Sequence, residues 1–236
     1  MATVILARHG RTEANSSGVL AGRSRGVHLD DLGRQQATAA ADRVRALRLA
    51  AVVSSPLERC RETAQQIAAR QEPKARVRTD RGLLEVDYGE WTGQPLAKLS
   101  KQPLWRTVQA HPAAARFPGG ESMAAMSARA VAAVRRWDAT VTAEHGPDAV
   151  WLVVSHGDVL KAVLADALGM HLDAFQRIVV DPASLSVVRY TDLRPFVVAC
   201  NTTDGSLDHL EPPKRKRRGR RSGDAPVGGG AGPAVS

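Results

Sequence analysis

The sequence predicts an α/β fold: a three-layer α/β/α sandwich with a mostly parallel central sheet and one antiparallel edge strand. Two observations carry this. Short apolar runs alternate with amphipathic helical patterns, as in strands joined by crossover helices. The runs themselves, TVILA at the start and AVWLVVS after residue 148, are apolar throughout, as in strands covered on both faces.

Thr3–Ala7 is the first such strand. A polar, glycine-containing loop leads to a helix over Asp31–Leu47, with Ala40, Val44 and Leu47 on one face. Ala50–Ser54 is the second strand. Ser55-Pro56-Leu57-Glu58 then carries a capping-box signature with proline at the first helical position, opening a helix that runs to Arg70. Arg76–Thr79 is a short third strand. Between Gly82 and Gly120 periodicity weakens while glycine and proline recur, which predicts loops and short helices laid over one end of the sheet. A long helix follows over Glu121–Ala143. Its Met123, Met126, Val134 and Trp137 fall at helical spacing, so they are core packing rather than a cofactor pocket. Ala149–Ser155 is the strongest strand signal, and a helix over Asp158–Leu168 follows at once. Ser184–Thr191 and Pro195–Asn201 form a closing hairpin.

A hydrophobic fraction of 43% and a charged fraction of 24% are ordinary for a globular protein, and 236 residues suffice for one sizeable core. The domain is expected to span residues 1–210. Residues 211–236, a glutamate and PPKRKRRGRR followed by SGDAPVGGGAGPAVS, make a basic, low-complexity tail expected to be disordered. That tail supplies most of the net charge of +9, so the body is only mildly basic. Non-specific attraction to polyanions is within its reach. Sequence-specific nucleic-acid recognition is not indicated, because no aromatic platform or reading helix accompanies it. No apolar stretch reaches the length of a membrane span, and the opening MATVILARHG lacks a basic n-region and a cleavage pattern. A cytoplasmic location is expected. Cys60 and Cys200 lie far apart outside any CxxC spacing and are expected to be reduced thiols.

In sheets of this kind, ligands bind beyond the carboxyl ends of the strands. There the first strand runs into Arg8-His9-Gly10-Arg11-Thr12, the second into Ser54-Ser55-Pro56-Leu57-Glu58-Arg59, and the strongest into His156-Gly157-Asp158. Two histidines and two or three arginines would converge on one sheet edge. An arginine fork holds two phosphoryl oxygens at once, and neutral imidazole is a competent nucleophile toward phosphorus. A cation at Arg59, in a first helical turn, opposes the helix dipole unless an anion sits beside it. The set suits phosphate.

These segments resemble the histidine phosphatase superfamily, whose founders include the cofactor-dependent phosphoglycerate mutases. The opening motif, Arg-His-Gly-x-Thr/Ser followed by an asparagine, stands here as RHGRTEAN, Arg8 to Asn15. SSPLERCRETA is similar to the segment carrying the second phosphate arginine, at Arg59. LLEVDYGEWTG is similar to the stretch bearing the proton donor, at Glu85, and VSHGDVLK to that bearing the second active-site histidine, at His156. The order is the family's, from about residue 3 to residue 200.

The resemblance implies a phosphoglycerate mutase-like fold and a phosphatase that hydrolyses phosphomonoesters through a phosphohistidine on His9, with no metal or cofactor. Arg8, Arg59 and His156 would line the phosphate pocket. Asn15 would be a further donor, with Gly22, Tyr88 and the backbone at Gly157 among the substrate-binding positions. Glu85 would protonate the leaving alcohol and then help activate water; Asp87 and Glu90 lie close by, but the motif's register favours Glu85. Ordinary pKa values of roughly 4.3 for glutamate and 6.5 for histidine imply a bell-shaped profile with an acidic to near-neutral optimum.

Two other functions stay in view. A mutase would need clamps for a second anionic group, yet the segment between Gly93 and Gly120 has no Arg-Arg pair, only Arg106 and Arg116. A non-catalytic phosphate-binding module would not need His9, Glu85 and His156 together. Tyr88, Trp91, Trp105, Arg106 and Phe117 are the expected leaving-group wall. Arg11 is balanced between substrate contact and solvent. His28, His111, His145, His171 and His209 are expected at the surface, and with no HExxH-like pair a zinc site is not expected. The expected partner is a small phosphomonoester, and an edge strand near Pro195–Asn201 offers a pairing surface to a second subunit.

Overall fold

The computed structural model describes residues 2–205 and 207, so the expectations for His209 and the basic tail lie outside the described residues. Six strands, β1 (Thr3–Arg8), β2 (Leu49–Ser54), β3 (Val77–Thr79), β4 (Val150–Ser155), β5 (Leu185–Arg189) and β6 (Phe196–Thr202), form one sheet in the order β3-β2-β4-β1-β5-β6. The helices are α1 (Glu13–Ser16), α2 (Asp31–Arg43), α3 (Glu58–Ala69), α4 (Leu96–Leu99), α5 (Pro103–Ala110), α6 (Met123–His145) and α7 (Gly157–Ala167).

The expected three-layer fold is borne out, and the alternation along each strand shows why. In β1, Ile5 and Ala7 face a core shared with Ala40 and Ala41 of α2 and with Ala64 and Ile67 of α3. Val4 and Leu6 face the other core, with Met126 and Val134 of α6 and Leu160 and Val163 of α7. Both faces are covered, which is why these strands carry no polar alternation. Full burial of each such Val, Leu or Ile side chain contributes about 1.5–3 kcal/mol.

β1, β2, β3 and β4 run parallel, while β5 runs against β1 and β6 against β5. The antiparallel strand is therefore β5, one position in from the edge that β6 closes. The expected capping box at Ser55 does not form. α3 begins at Glu58 with Leu57 as an uncapped N-terminal residue, because the Ser55 hydroxyl is bonded to His156 at 2.8 Å. The predicted helix to Leu47 ends at Arg43, yet Val44 and Leu47 remain buried in the turn that follows.

Both cysteines are free, Cys60 buried and Cys200 exposed. Among the described residues, no helix is long and apolar enough to cross a membrane.

Candidate active site

Three adjacent strand ends build the site. Arg8 pairs with Ser155 in the β1–β4 register and Ser54 pairs with Val154, so His9, Ser55 and His156 emerge side by side. The His9 backbone N–H donates to the Ser155 carbonyl at 3.0 Å. Its Nδ1 lies 2.8 Å from the Gly10 carbonyl. A carbonyl only accepts, so Nδ1 carries the proton and Nε2 keeps its lone pair. Arg59 Nε–H points at that Nε2 from 3.3 Å. Burial first, then the Arg59 and Arg8 charges, hold the His9 pKa well below the ordinary imidazole value. The ring is thus neutral near pH 7, with an unprotonated Nε2 that accepts from Arg59 in a cationic corner.

A close backbone approach holds this loop. A Cβ on Gly10 would lie 2.3 Å from the Gly33 carbonyl oxygen, and one on Gly33 would lie 1.9 Å from that of Arg11. Glycine at both positions lets the first turn of α2 press directly on the chain that carries His9.

Arg59 is buried at 2% exposure, and its Nη2 donates to the Gly22 carbonyl at 2.8 Å and to His156 Nδ1 at 3.1 Å. His156 therefore accepts through Nδ1 and donates Nε2–H to Ser55 Oγ. Burial, then Arg59, His9 and Arg8, keep it neutral as well. Cys60 Sγ lies 3.4 Å from the same ring, and burial pushes its pKa up to about 12, so it stays a thiol. Arg8 donates from Nη1 to the Val180 carbonyl at 2.7 Å.

What remains is decisive for the chemistry. Arg8 Nε and Arg59 Nη1 are the two buried side-chain nitrogens without a hydrogen-bond partner among the described residues. Both residues line a cavity of about 360 Å³ together with His9 and Glu85. A charged donor held out of water without an acceptor is costly. This corner is shaped for an anion with several acceptor oxygens.

Glu85 faces the same cavity. Its Oε1 accepts from the Val86 N–H at 3.0 Å and its Oε2 lies 3.9 Å from His156 Nδ1. Burial, then the Asp158 carboxylate, push its pKa up to about 7. With His156 neutral, that 3.9 Å approach is no ion pair but a carboxyl, protonated below about pH 7, beside an imidazole. Tyr88 donates its hydroxyl to Asp158 at 2.8 Å. Asn15 turns its carboxamide oxygen onto the N–H and hydroxyl of Thr12, which leaves its NH2 directed away from Thr12.

The model of the histidine phosphatase superfamily, branch 1, matches residues 4–203. This chain belongs to that superfamily. Phosphoserine phosphatase 1 of Hydrogenobacter thermophilus is 30% identical over 213 residues, covering 86% of this chain and 93% of the relative. A probable phosphoglycerate mutase, GpmB, of Proteus mirabilis is 34% identical over 89% of this chain and 95% of its own. Among solved structures, a mycobacterial glucosyl-3-phosphoglycerate phosphatase complexed with VO3 superimposes with a TM-score of 0.75 at 29% identity, covering 84% of this chain and 98% of the other. Together these support phosphatase chemistry in general.

All the site positions that the superfamily motifs point to lie on the cavity wall except His156, which stands behind Arg59 with no exposed surface. The expected leaving-group wall needs correction. Trp91 and Phe117 are core residues at 3% and 1% exposure, with Trp105 stacked on Trp91. Arg106 is exposed and lines no part of this cavity. Aromatics in a weakly periodic segment pack inward for the same hydrophobic reason as any others. Tyr88 alone of that group reaches the cavity; Val19, Leu20, Ala21 and Leu96 form the rest of the outer wall. No periodicity marked those four in the sequence. Thr12, the cap of α1, was legible in the spacing to Asn15, and Asp158 in its place after His156-Gly157. Arg11 is bound to Asp30 at 2.8 Å and does not line the cavity. His28 pairs with Glu62, and His28, His111, His145 and His171 are all exposed, as expected.

A clamp that the sequence reading missed holds the superfamily's acidic stretch. Arg129 of α6 donates to the carbonyls of Gly82, Leu84 and Glu85 at 2.7–3.0 Å, and its fork is anchored by both oxygens of Glu121. Arg23 donates to the Glu85 carbonyl from the other side at 2.8 Å. Arg129→Met keeps the stem but removes the fork. It is expected to cost about 2–4 kcal/mol in urea unfolding and to lower kcat more than it raises KM. An unchanged kcat would show that the clamp does not position Glu85.

Proposed function

We propose that this protein hydrolyses phosphomonoesters through a phosphohistidine on His9, without a metal ion. The observation that carries this is the pair of buried, unsatisfied arginine nitrogens beside a neutral histidine whose unprotonated Nε2 is engaged only by a long 3.3 Å bond from Arg59 Nε–H, which a phosphoryl oxygen can take over. The phosphoryl oxygens bind between Arg8 and Arg59, which neutralise their charge, with the Asn15 NH2 a further donor. His9 Nε2 attacks phosphorus in line as the bond to the alcohol oxygen breaks, and Glu85 gives its proton to that oxygen. Water then attacks the phosphohistidine and passes a proton to the Glu85 carboxylate. Inorganic phosphate leaves, and His9 returns to its neutral form. His156 acts through Arg59 and orients it.

Hydrolysis is favoured over phosphoryl transfer to a second substrate group because, among the described residues, the cavity wall offers no cation beyond Arg8 and Arg59. The test is a rapid quench of the protein with p-nitrophenyl phosphate in EDTA. A phosphoenzyme stable to alkali and labile to acid, with the added mass on the His9 peptide, is expected. Turnover with an acid-stable adduct would sink the phosphohistidine reading, and loss of all turnover in EDTA would sink its independence of metal.

A further inference from the structure

The cavity discriminates among alcohols by what its outer wall lacks. Arg8 and Arg59 are its only cations among the described residues, and two positive charges match one phosphoryl dianion. Arg11, Arg23, Arg25, Lys98 and Arg116 are near it in the chain or the fold but do not line it. Arg11 is paired with Asp30, and Arg23 is held by Asp87, Glu121 and the Glu85 carbonyl. Lys98 is exposed and bonded to Gln94, and Arg116 is exposed; neither lines the cavity. In place of a cationic clamp, the outer wall presents Val19, Leu20, Ala21 and Leu96, the last of them 37% exposed. Among the described residues, the acidic side chains on that wall are Glu85 and Asp158, the latter held by the Tyr88 hydroxyl.

Resting on the phosphatase reading, we infer that the substrate's alcohol carries no second phosphate or carboxylate and meets the protein through an apolar face. Among the described residues a second anion would find no donor of opposite charge on the wall, would lose water against Leu20 and Leu96, and would face Asp158. An apolar alcohol covers those side chains and gains their burial instead. This separates the chain from what the names of its relatives describe, since phosphoserine and phosphoglycerate each carry a carboxylate.

Matched pairs test it on the full chain. Phenyl phosphate against 4-carboxyphenyl phosphate, and phosphoethanolamine against phosphoserine, differ only by a carboxylate. The carboxylate-free member should have the higher kcat/KM by at least about tenfold in both pairs. Leu96→Arg, which adds a cation to the wall and removes apolar surface, should shrink that ratio by raising kcat/KM for the carboxylated member. Equal or better turnover of the carboxylated members overturns the inference, as does an unchanged ratio in Leu96→Arg. Binding of benzylphosphonate and 4-carboxybenzylphosphonate, which cannot be hydrolysed, separates the two readings. Tighter binding of the first without turnover of any ester would leave the inference standing and the hydrolysis reading overturned. Tighter or equal binding of the second would overturn the inference by itself.

Discussion

His9→Ala is expected to lower kcat by roughly 10⁴-fold or more while the protein stays folded. On the proposed mechanism, neither of the two other nucleophilic side chains packed against His156 can take its place. The Cys60 thiol is protonated, with a pKa of about 12, and Ser55 is bonded to His156. Phosphate binding should survive, because Arg8 and Arg59 keep their anchors at Val180 and Gly22 without the imidazole. The expected result is a collapsed kcat, a KM or vanadate affinity within a few-fold of wild type, and a melting curve of unchanged cooperativity. Residual activity within tenfold of wild type would remove His9 from the covalent step.

Glu85→Gln should reduce kcat by about 10²–10⁴-fold on alkyl phosphates and far less on p-nitrophenyl phosphate. The reason lies in the leaving group: p-nitrophenolate departs as a stable anion, whereas an alkoxide needs the proton. The pH dependence follows from the same group. Glu85 must be protonated and His9 neutral, so activity should be highest from acidic to near-neutral pH and fall as pH rises through about 7, where Glu85 ionises. That alkaline limb should vanish in Glu85→Gln. Stability gives an independent readout. The folded-state pKa of Glu85 is raised above its unfolded value, so its favourable contribution is complete at low pH and is lost as pH rises through about 7. Glu85→Gln should therefore melt higher than wild type at pH 8 and no higher at pH 5. A uniform loss across both leaving groups, with the alkaline limb retained, would assign the proton to another residue.

Much of the site was legible because its residues sit at the ends of strands whose apolar runs announce themselves. His9, Ser55 and His156 follow directly on β1, β2 and β4, and parallel pairing in register brings such ends together. Glu85 was legible only through the superfamily's motif, since Asp87 and Glu90 have the same chemistry two and five residues away. The fold separates them. The Glu85 side chain, 12% exposed, turns in beside His156, whereas Asp87, at 42%, is drawn to Arg23. The aromatic wall expected from Trp91, Trp105 and Phe117 failed because a residue's type does not say which way a loop turns it.

By itself, then, the sequence determined the layered α/β architecture, the edge of the sheet where the chemistry lies, and the two arginines and two histidines gathered there. These follow from local periodicity and from residues adjacent to strand ends, both readable along the chain. Only the tertiary structure decided which nitrogen of His9 is unprotonated, which arginine nitrogens lack a partner, why the Glu85 pKa is raised, and that the outer wall is aliphatic. Each of those depends on atoms far apart in sequence. Val180 takes up Arg8 from 172 residues away, and Asp158 raises Glu85 from across the cavity, through fields and contacts that burial strengthens.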